Sequence, residues 1–578
     1  MLEKKKVEDN AKAILKQYEN VRSYKNTMGF EKDWNTYIDF VEDRQWERTD
    51  KNENIPKPQH NIVKMTKRSK TSAISSDTIK IVFSPLEIVE GDIANEAAKM
   101  FNDAIIETND DIDQESLDSE VVDDAFTLGT GFSYYFWNSN VNGGYKTKFI
   151  GNIDGQCLDP MNVFPGNPQC RDKDKQPFWI LTTREMVESI KKEAKDNKIA
   201  AAQIELIVAD KDTSQEQYQA AKNEVLGEDK TTVYVKLWRD LEDNKIYFEK
   251  ATKGCLFKPK TLVWDYDGDD IEPYPIAVLN WETRKKSIFG IGEAEGMIYN
   301  QKAINFTSAM QILNVQDTAW SKYIVKFDAL KKQMQNIPGE IVNDESNQPG
   351  DNIKAMQPAM MSNQAFQLLD NMITNTRTFN GVTESVTGES MGANMAAAAI
   401  IALQNQAKVP LDGNRKKVIR YHKQVARIKE MFFKCKFNTP RVIRVKNDDG
   451  TEGNASFTGT DYKEIPLRLK IDVGVGSSYS ESLAVATLDR FLDKGWITPV
   501  QYADLCPDNV MPFKEQFKKM KEIEKADQLK QAEKAMQQQA DLIKTLKQQV
   551  LDHRNALQRF NEPAMPKEKP MVGGNQNG

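Results

Sequence analysis

Histidine is close to missing from this chain: His60, His422 and His553 are the only three in 578 residues. None has a second ligand or a nucleophile at useful spacing, so they read as surface or packing residues rather than as acid–base catalysts. Cysteine is scarce too. Cys157, Cys170, Cys255, Cys435 and Cys506 are scattered with no C-x-x-C pair, which argues against a disulfide framework or a zinc site and predicts free thiols in a reducing compartment. The chain has no G-x-x-x-x-G-K-[ST] and no H-E-x-x-H, so the common signatures of phosphate-binding loops and zinc proteases are absent. Basic excess is lacking as well. The formal net charge is −6, whereas a protein that grips DNA by its phosphates carries a basic surface. Long apolar runs are missing: the most apolar short run, Ala396 to Leu403, is far below the roughly 20 residues that span a bilayer. The first residues, MLEKKKVEDNAK, are charged without an apolar centre, so no secretory signal is expected. The expectation is a soluble protein made in a cytoplasm, with no membrane partner and no cofactor.

What is present is length and helix. A chain of 578 residues exceeds one core and suggests roughly three or four units. Charged residues make up 28% and the hydrophobic set 39%, ordinary values for a protein with long helices. Apolar spacing predicts helix over residues 7–48, a break at RTDKNENIPKPQH, and another helix over about 93–107. The acidic stretch 109–124 reads as a solvated helix face or as a patch that meets a basic neighbour. DAFTLGTGFSYYFW predicts a strand after a Gly129-Thr130-Gly131 turn, and a helix is expected to open at Thr183 or Glu185. Strands are expected at TTVYVKLWRD, KIYFEKA, TLVWDYD and IAVLNWE.

The second half changes character. A long helix is predicted over 290–322, then an irregular piece with Pro338-Gly339 and Pro349-Gly350 turns, then a helix carrying Phe366, Leu369, Ile373 and Thr376. Residues 379–406 read FNGVTESVTGESMGANMAAAAIIALQNQ, a polar, small-residue loop joined at once to an alanine-rich helix expected to run to about Lys436, with Pro410 kinking it. Such a loop between rigid helices suits a constriction presented to something passing by. A hairpin-like region follows, RVIRVKNDDGTEGNASF and PLRLKIDVGV, then a helical pair separated by Gly495. Leu529, Met536, Ile543, Val550 and Leu557 recur every seven residues in the last helix. That stripe fits either self-association through a narrow seam or one helix packed on its own subunit. The tail after Glu562 is Pro/Gly-rich and expected to be disordered.

Three further signals have competing readings. Gly290, Gly292 and Gly296 precede a helix but lack dinucleotide spacing. Glu293 and Glu295 stand where a pyrophosphate would rest, so a tight turn is the better account. Asp265, Asp267, Asp269 and Asp270 fit an acidic turn better than a calcium loop, which needs Gly and Glu at fixed positions. The basic stretch NRKKVIRYHKQVARIK (414–429) is either a phosphate contact, a solvated face or an intersubunit ion-pair partner.

In order and character, these segments resemble the portal proteins of tailed bacteriophages, most like the short-tailed P22 type. The resemblance rests on DWNTYIDFVEDRQW with PKPQHNIVKMTKRSKTSA, on DAFTLGTGFSYYFW, and on CLDPMNVFPGNPQCRDKDKQPFWILTTREMVESIK. It continues through FGIGEAEGMIYNQKAINFTSAMQI, GVTESVTGESMGANMAAAAIIALQNQA and IDVGVGSSYSESLAVATLDRFLDKGWITP, covering about Trp34 to Pro507. It implies an α+β, portal-type protomer with a strand-rich wing, a helical stem, a small α/β clip and a helical crown with a C-terminal helix. The implied divisions are a wing over 1–288, stem helices over 289–322 and 363–380, and a clip over 323–362. A tunnel loop follows over 381–395, then wing again over 396–476, a crown over 477–512, a helical extension over 513–560 and a tail over 561–578.

The resemblance also implies a noncatalytic role. Twelve copies would form a ring at one capsid vertex of the virion. That ring would pass double-stranded DNA during packaging and ejection, dock terminase and then adaptor or tail proteins, and sit against the major capsid protein. Thr383, Glu384, Ser385, Thr387, Glu389, Ser390, Met391, Asn394 and Met395 would line the channel's narrowest point. Glu340, Asn343, Asp344, Glu345, Asn347 and Asp351 would belong to the docking clip, and Leu529, Met536, Ile543, Val550 and Leu557 to the oligomeric extension. A conduit must not hold its cargo tightly, so acidic and small polar residues suit its wall. A different class of reading, an oligomeric helical scaffold or tail connector without a DNA channel, accounts for the same helices. A metal-dependent nuclease suffers from having no carboxylate group with a catalytic Lys or His partner.

Overall fold

The computed structural model describes residues 2–46, 55–75, 79–86, 92–141, 150–210, 229–266, 272–319, 322–325, 353–356, 361–381, 411–446, 452–473, 478–506 and 514–560. They form two compact units, Met1–Gly476 and Ser477–Gly578. The chain is a mixture of helix and sheet, with helix predominant.

The first unit begins with α1 (Leu2–Thr27), α2 (Phe30–Val41), α3 (Ile62–Ser75), β1 (Ile79–Pro85), α4 (Asp92–Asp111) and α5 (Gln114–Leu128). The helix expected over 7–48 is two helices. Gly29, at φ 78°, takes a left-handed backbone that residues with a side chain adopt only under strain, and the chain turns there. Then come β2 (Thr130–Asn138), β3 (Asn152–Leu158), a 3-10 turn at Pro160–Asn162, β4 (Val163–Pro165) and β5 (Phe178–Met186). α6 (Val187–Asp196), α7 (Ala201–Ile204), β6 (Lys230–Arg239), β7 (Ile246–Ala251), β8 (Leu256–Leu262) and β9 (Ile276–Asn280) complete this part. The helix expected to open at Thr183 or Glu185 starts instead at Val187, because those residues pair with Val233 and Thr231 in β6.

Strands β4 to β8 form a five-stranded antiparallel meander in sequence order, and β3, β2 and β9 form a three-stranded sheet with β2 central. The strand expected at TLVWDYD lies earlier, at LFKPKTL. Its Pro259 has no N–H to give, which the outer strand of a sheet tolerates, and β7 and β8 slip register around Lys250. Trp264 is buried instead, its indole N–H donating to the Pro273 carbonyl at 2.8 Å.

The acidic segment 109–124 is helical but not simply solvated. Asp113 caps α5 by accepting from the Ser116 N–H, Gly129 ends it at φ 90°, and Leu117, Val121, Val122 and Ala125 are buried between. The first unit continues with α8 (Glu293–Ala319), β10 (Lys322–Val325), β11 (Ile353–Met356), α9 (Asn363–Phe379), α10 (Asp412–Lys436), β12 (Arg441–Lys446), β13 (Glu452–Phe457) and β14 (Leu467–Val473). β12 and β13 form the expected hairpin. PLRLKIDV does not extend it: β14 pairs with β1 from the other end of the unit, Phe83 facing Leu469. Pro410 lies outside the described residues.

One large core joins these elements. Phe101 meets Phe83, Phe433 and Phe457 edge to face, and Phe289 meets Phe30, Trp34 and Phe132. A second, smaller cluster lies between α1 and the meander: Ala11, Ile14, Tyr18 and Val21 cover Phe164, Ile180, Tyr234, Ala251 and Leu256. None of the five cysteines is in a disulfide.

The second unit holds α11 (Ser478–Asp493), α12 (Pro499–Leu505) and α13 (Lys514–Phe560). Thr498 and Gln501 make a reciprocal capping box at the start of α12, with Pro499 at its first position. α13 is 47 residues long. No helix among the described residues is long and apolar enough to cross a membrane.

Candidate functional site

The described residues that answer to a functional device are a two-helix stalk and its root. The root is a crossing of two glycine-bearing segments. Gly129-Thr130-Gly131 leaves α5 for β2, and Phe289-Gly290-Ile291-Gly292 leads into α8. A Cβ on Gly290 would fall 2.3 Å from the Gly129 carbonyl oxygen, and one on Gly292 2.7 Å from that of Thr127, so the backbones pass too closely for a side chain. The crossing is tied by hydrogen bonds. The Gly290 N–H donates to Thr130 Oγ1 at 2.7 Å, Thr130 Oγ1 donates to Asn280 Oδ1 at 2.8 Å, and the Trp281 N–H donates to the Gly129 carbonyl at 3.0 Å. The glycines, expected to form a tight turn, instead permit a close crossing, with Ile291 bridged antiparallel to Glu282 and Gly296 inside α8.

At the first turn of α8, Glu293 accepts from Lys70 of α3 and from the Trp281 indole N–H at 2.8 Å, while Glu295 pairs with Arg284 at 2.8 Å. Both carboxylates also lie at the positive end of the helix. The face of α8 nearest the root is apolar, with Ala294, Met297, Ile298 and Ile304 buried. Farther out the buried face turns polar. Gln301 binds the backbone of His60 and Ile62 as well as Asn305, and Asn305 in turn donates to Gln45 at 2.6 Å.

α9 returns beside α8. Gln311 donates to the Ala365 carbonyl at 3.1 Å, and the Met361 N–H donates to Asn314 at 3.3 Å, so the far end of α8 meets the near end of α9. β10 and β11, between them in sequence, pair antiparallel from Lys322 with Met356 to Val325 with Ile353. At the other end, α9 reaches α3, where Arg377 lies 3.8 Å from the Met65 sulfur. The path therefore leaves the body along α8, reverses through a ribbon and comes back along α9. Tyr299, Phe306, Phe366, Leu368 and Phe379 are exposed on this pair.

α10 passes through the body. Gln424 donates to the Val278 carbonyl at 3.2 Å and accepts from its N–H at 3.1 Å, completing the ladder of β9 as a further strand would. The basic stretch 414–429 is thus only partly a solvated face. Lys417 donates to the Trp281 carbonyl. Lys429 is fully buried, donating to Asn109 and, at 2.7 Å, to Gln114; burial lowers its pKa to about 7, with Asp118 opposing. Tyr421 donates at 3.0 Å to Asp118 or Ser133. His422 faces Asp118 at 3.5 Å, and burial lowers its pKa against the pull of that carboxylate.

A second feature is an open cleft beside α5, lined by Glu42, Arg44, Lys67, Asp123, Asp124 and Asp159 among others. Burial, and then the nearby Asp159, raise the Asp124 pKa to about 7, and Cys157 donates to it at 3.6 Å. Among the described residues no group of three or more His, Cys, Asp or Glu side chains is arranged to hold a metal ion. Asp267, Asp269 and Asp270 lie outside them.

The residues assigned to the channel, from Thr383 through Glu384, Ser385, Thr387, Glu389, Ser390, Met391 and Asn394 to Met395, lie outside the described residues. So do the docking positions Glu340, Asn343, Asp344, Glu345, Asn347 and Asp351. The helical-extension residues are within them, apart from the side chain of Leu529. Met536, Ile543, Val550 and Leu557 are 71%, 51%, 67% and 64% exposed. Sequence reasoning missed the Lys70–Glu293 clamp and the Gln424 bridge, since both join residues far apart in the chain.

No family model matches this chain, and a search among curated proteins returns no match.

Proposed function

We propose that the chain is the subunit of a viral portal: a ring at one capsid vertex through which double-stranded DNA is packaged and ejected. Terminase, and later adaptor or tail proteins, dock on its clip. The observation that carries this reading is the rooted stalk, α8 out, ribbon, α9 back, followed in sequence by the polar 381–395 segment and, further on, by α10. A ring of such stalks encloses a passage, the ribbons project at its end as a docking rim, and the polar segments form its collar.

The unpartnered side chains support the same reading. Tyr299, Phe306, Phe366 and Leu368 on the stalk, and the seven-residue stripe on α13, are apolar surfaces that one copy leaves in water. Neighbouring copies of the same helices would cover them. The net charge of −6 suits a wall that DNA slides along rather than adheres to. Nothing in the role requires bond chemistry, and the proposal includes no cofactor.

Negative-stain images of the purified protein test the proposal. A portal gives rings with a central hole about as wide as duplex DNA. A scaffold or connector without a channel, which would bury the same helical stripes, gives assemblies with no such hole, and that outcome would replace the portal reading.

A further inference from the structure

Lys25, near the end of α1, is 4% exposed. Its Nζ reaches three backbone carbonyl oxygens, those of Pro160 at 2.7 Å, Met161 at 3.0 Å and Val163 at 3.0 Å. Three aromatic rings surround the same atom, with centroids at 4.3 Å for Phe164, 5.2 Å for Trp34 and 5.3 Å for Phe289. Local sequence explains why the carbonyls converge. Asp159 caps the 3-10 turn by accepting from the Met161 N–H at 2.8 Å, and Pro160 has no N–H to satisfy. The Pro160 carbonyl also accepts the Val163 N–H that closes the turn, so Lys25 is its second donor, and a cation is favoured at the turn's carboxyl end.

We infer that this tripod of carbonyls with its aromatic wall is a primary-ammonium site, occupied within the chain by Lys25, and that it fastens α1 to the meander as an intramolecular ligand. Counting donors decides the chemistry. An ammonium has three N–H groups for three acceptors, whereas a neutral amine has two and would turn a lone pair toward the third carbonyl. A planar guanidinium presents its donors in a fork and does not match a tripod. A quaternary ammonium has no donor, so the rings alone would attract it. Burial lowers the Lys25 pKa to about 7; of the charged groups facing the site, Asp159 and Glu31 oppose that fall and favour the ammonium, while Arg22 adds to it. A small pocket lined by Arg22, Asn26, Glu31, Trp34, Met161 and Phe164 lies beside Lys25.

α1 rests mainly on the smaller cluster, with Tyr24 against the main core, and joins α2 through the left-handed turn at Gly29. The ammonium is thus a polar fastening beside the apolar contacts that hold α1 to the meander.

Chemical rescue in the full-length chain tests this. Lys25→Ala removes the ammonium together with a three-carbon stem, the size of n-propylammonium. The variant is expected to melt several degrees lower and to lose protection of α1 against proteolysis. n-Propylammonium should restore both in a saturable way and leave the wild type unchanged. Tetramethylammonium, guanidinium and 1-propanol should restore neither. Equal rescue by 1-propanol would show that filling space is all that matters and would overturn the inference. So would a Lys25→Met variant as stable as the wild type. If Lys25→Ala does not fold, amine labelling of the wild type decides. Acetic anhydride should modify Lys12 and Lys16 readily and Lys25 only after unfolding, and labelling of Lys25 at the rate of Lys12 would contradict a seated ammonium.

Discussion

Glu293, at the first turn of the stalk helix, accepts hydrogen bonds from Lys70 and Trp281, so one carboxylate fastens α8 to α3 and to the strand end below it. The Lys70 and Glu293 side chains are only 11% and 16% exposed, which places this ion pair among those whose disruption leaves an uncompensated charge. Glu293→Ala is expected to lower unfolding stability by about 3 kcal/mol. The Lys70→Met and Glu293→Leu double variant should cost less than either single change, because it leaves neither charge stranded. Denaturant titration of the wild type, Lys70→Met, Glu293→Leu and the double variant, with Glu293→Ala beside them, measures this; additive losses would show that the pair does not couple α8 to α3.

Gly290→Ala puts a methyl group 2.3 Å from the Gly129 carbonyl oxygen and 2.5 Å from that of Glu282, both backbone atoms that cannot swing aside. The expected outcome is a loss of about 3 kcal/mol or more, seen as a fall in soluble yield and melting temperature. Gly296→Ala is the control. Its Cβ would meet nothing within 4 Å, and in a helix alanine gains about 0.8 kcal/mol over glycine, so that variant should be unchanged or stabilised.

The buried carboxyl of Asp124 gives a pH dependence with a definite sign. Its folded-state pKa is raised from 3.8 to about 7 by burial first and Asp159 second, with Cys157 and Lys67 opposing and Asp123 adding to the rise. Between those values the folded chain binds more protons than the unfolded one, so this group's contribution is present below pH 3.8 and lost as pH rises through 7. Asp124→Asn removes that loss. The variant should match the wild type near pH 4 and exceed it by on the order of 2 kcal/mol at pH 8. Melting curves across that range check it, and parallel pH profiles would show that Asp124 titrates normally.

Much of the scaffold was legible in the sequence wherever the signal was local. β2 formed at TGFSYYFWN, a run dense in aromatic residues that begins just after Gly129, and the long helices α8, α9 and α13 lay where apolar spacing placed them. The failures were of two kinds. β8 was missed because Pro259 argues against a strand unless the strand is known to be at an edge, and the pairing of β1 with β14 joins residues far apart with no local sign of each other. The fastening groups were harder still. Lys25, Lys70 and Lys429 sit in helices whose composition reads as solvated, and only the converging carbonyls, Glu293, and the amides of Asn109 and Gln114 turn them inward. The collar and clip positions fall outside the described residues, so their reading still rests on the sequence.

Within the portal proposal, Glu384 and Glu389 repel passing phosphates around the ring. Changing both to lysine should reduce DNA packaging or retention, measured as DNA per particle, while native mass measurement shows the ring still assembled. Normal packaging and infectivity of the Glu384→Lys, Glu389→Lys virus would remove these residues from the channel.

The most direct measurement is a cryo-electron-microscopy reconstruction of the assembled protein, in which residues 381–395 are located relative to the symmetry axis. The account predicts a closed ring with α8 and α9 forming the inner wall and this segment at the narrowest point. A monomer, or a ring that carries residues 381–395 on its outer rim, would contradict it.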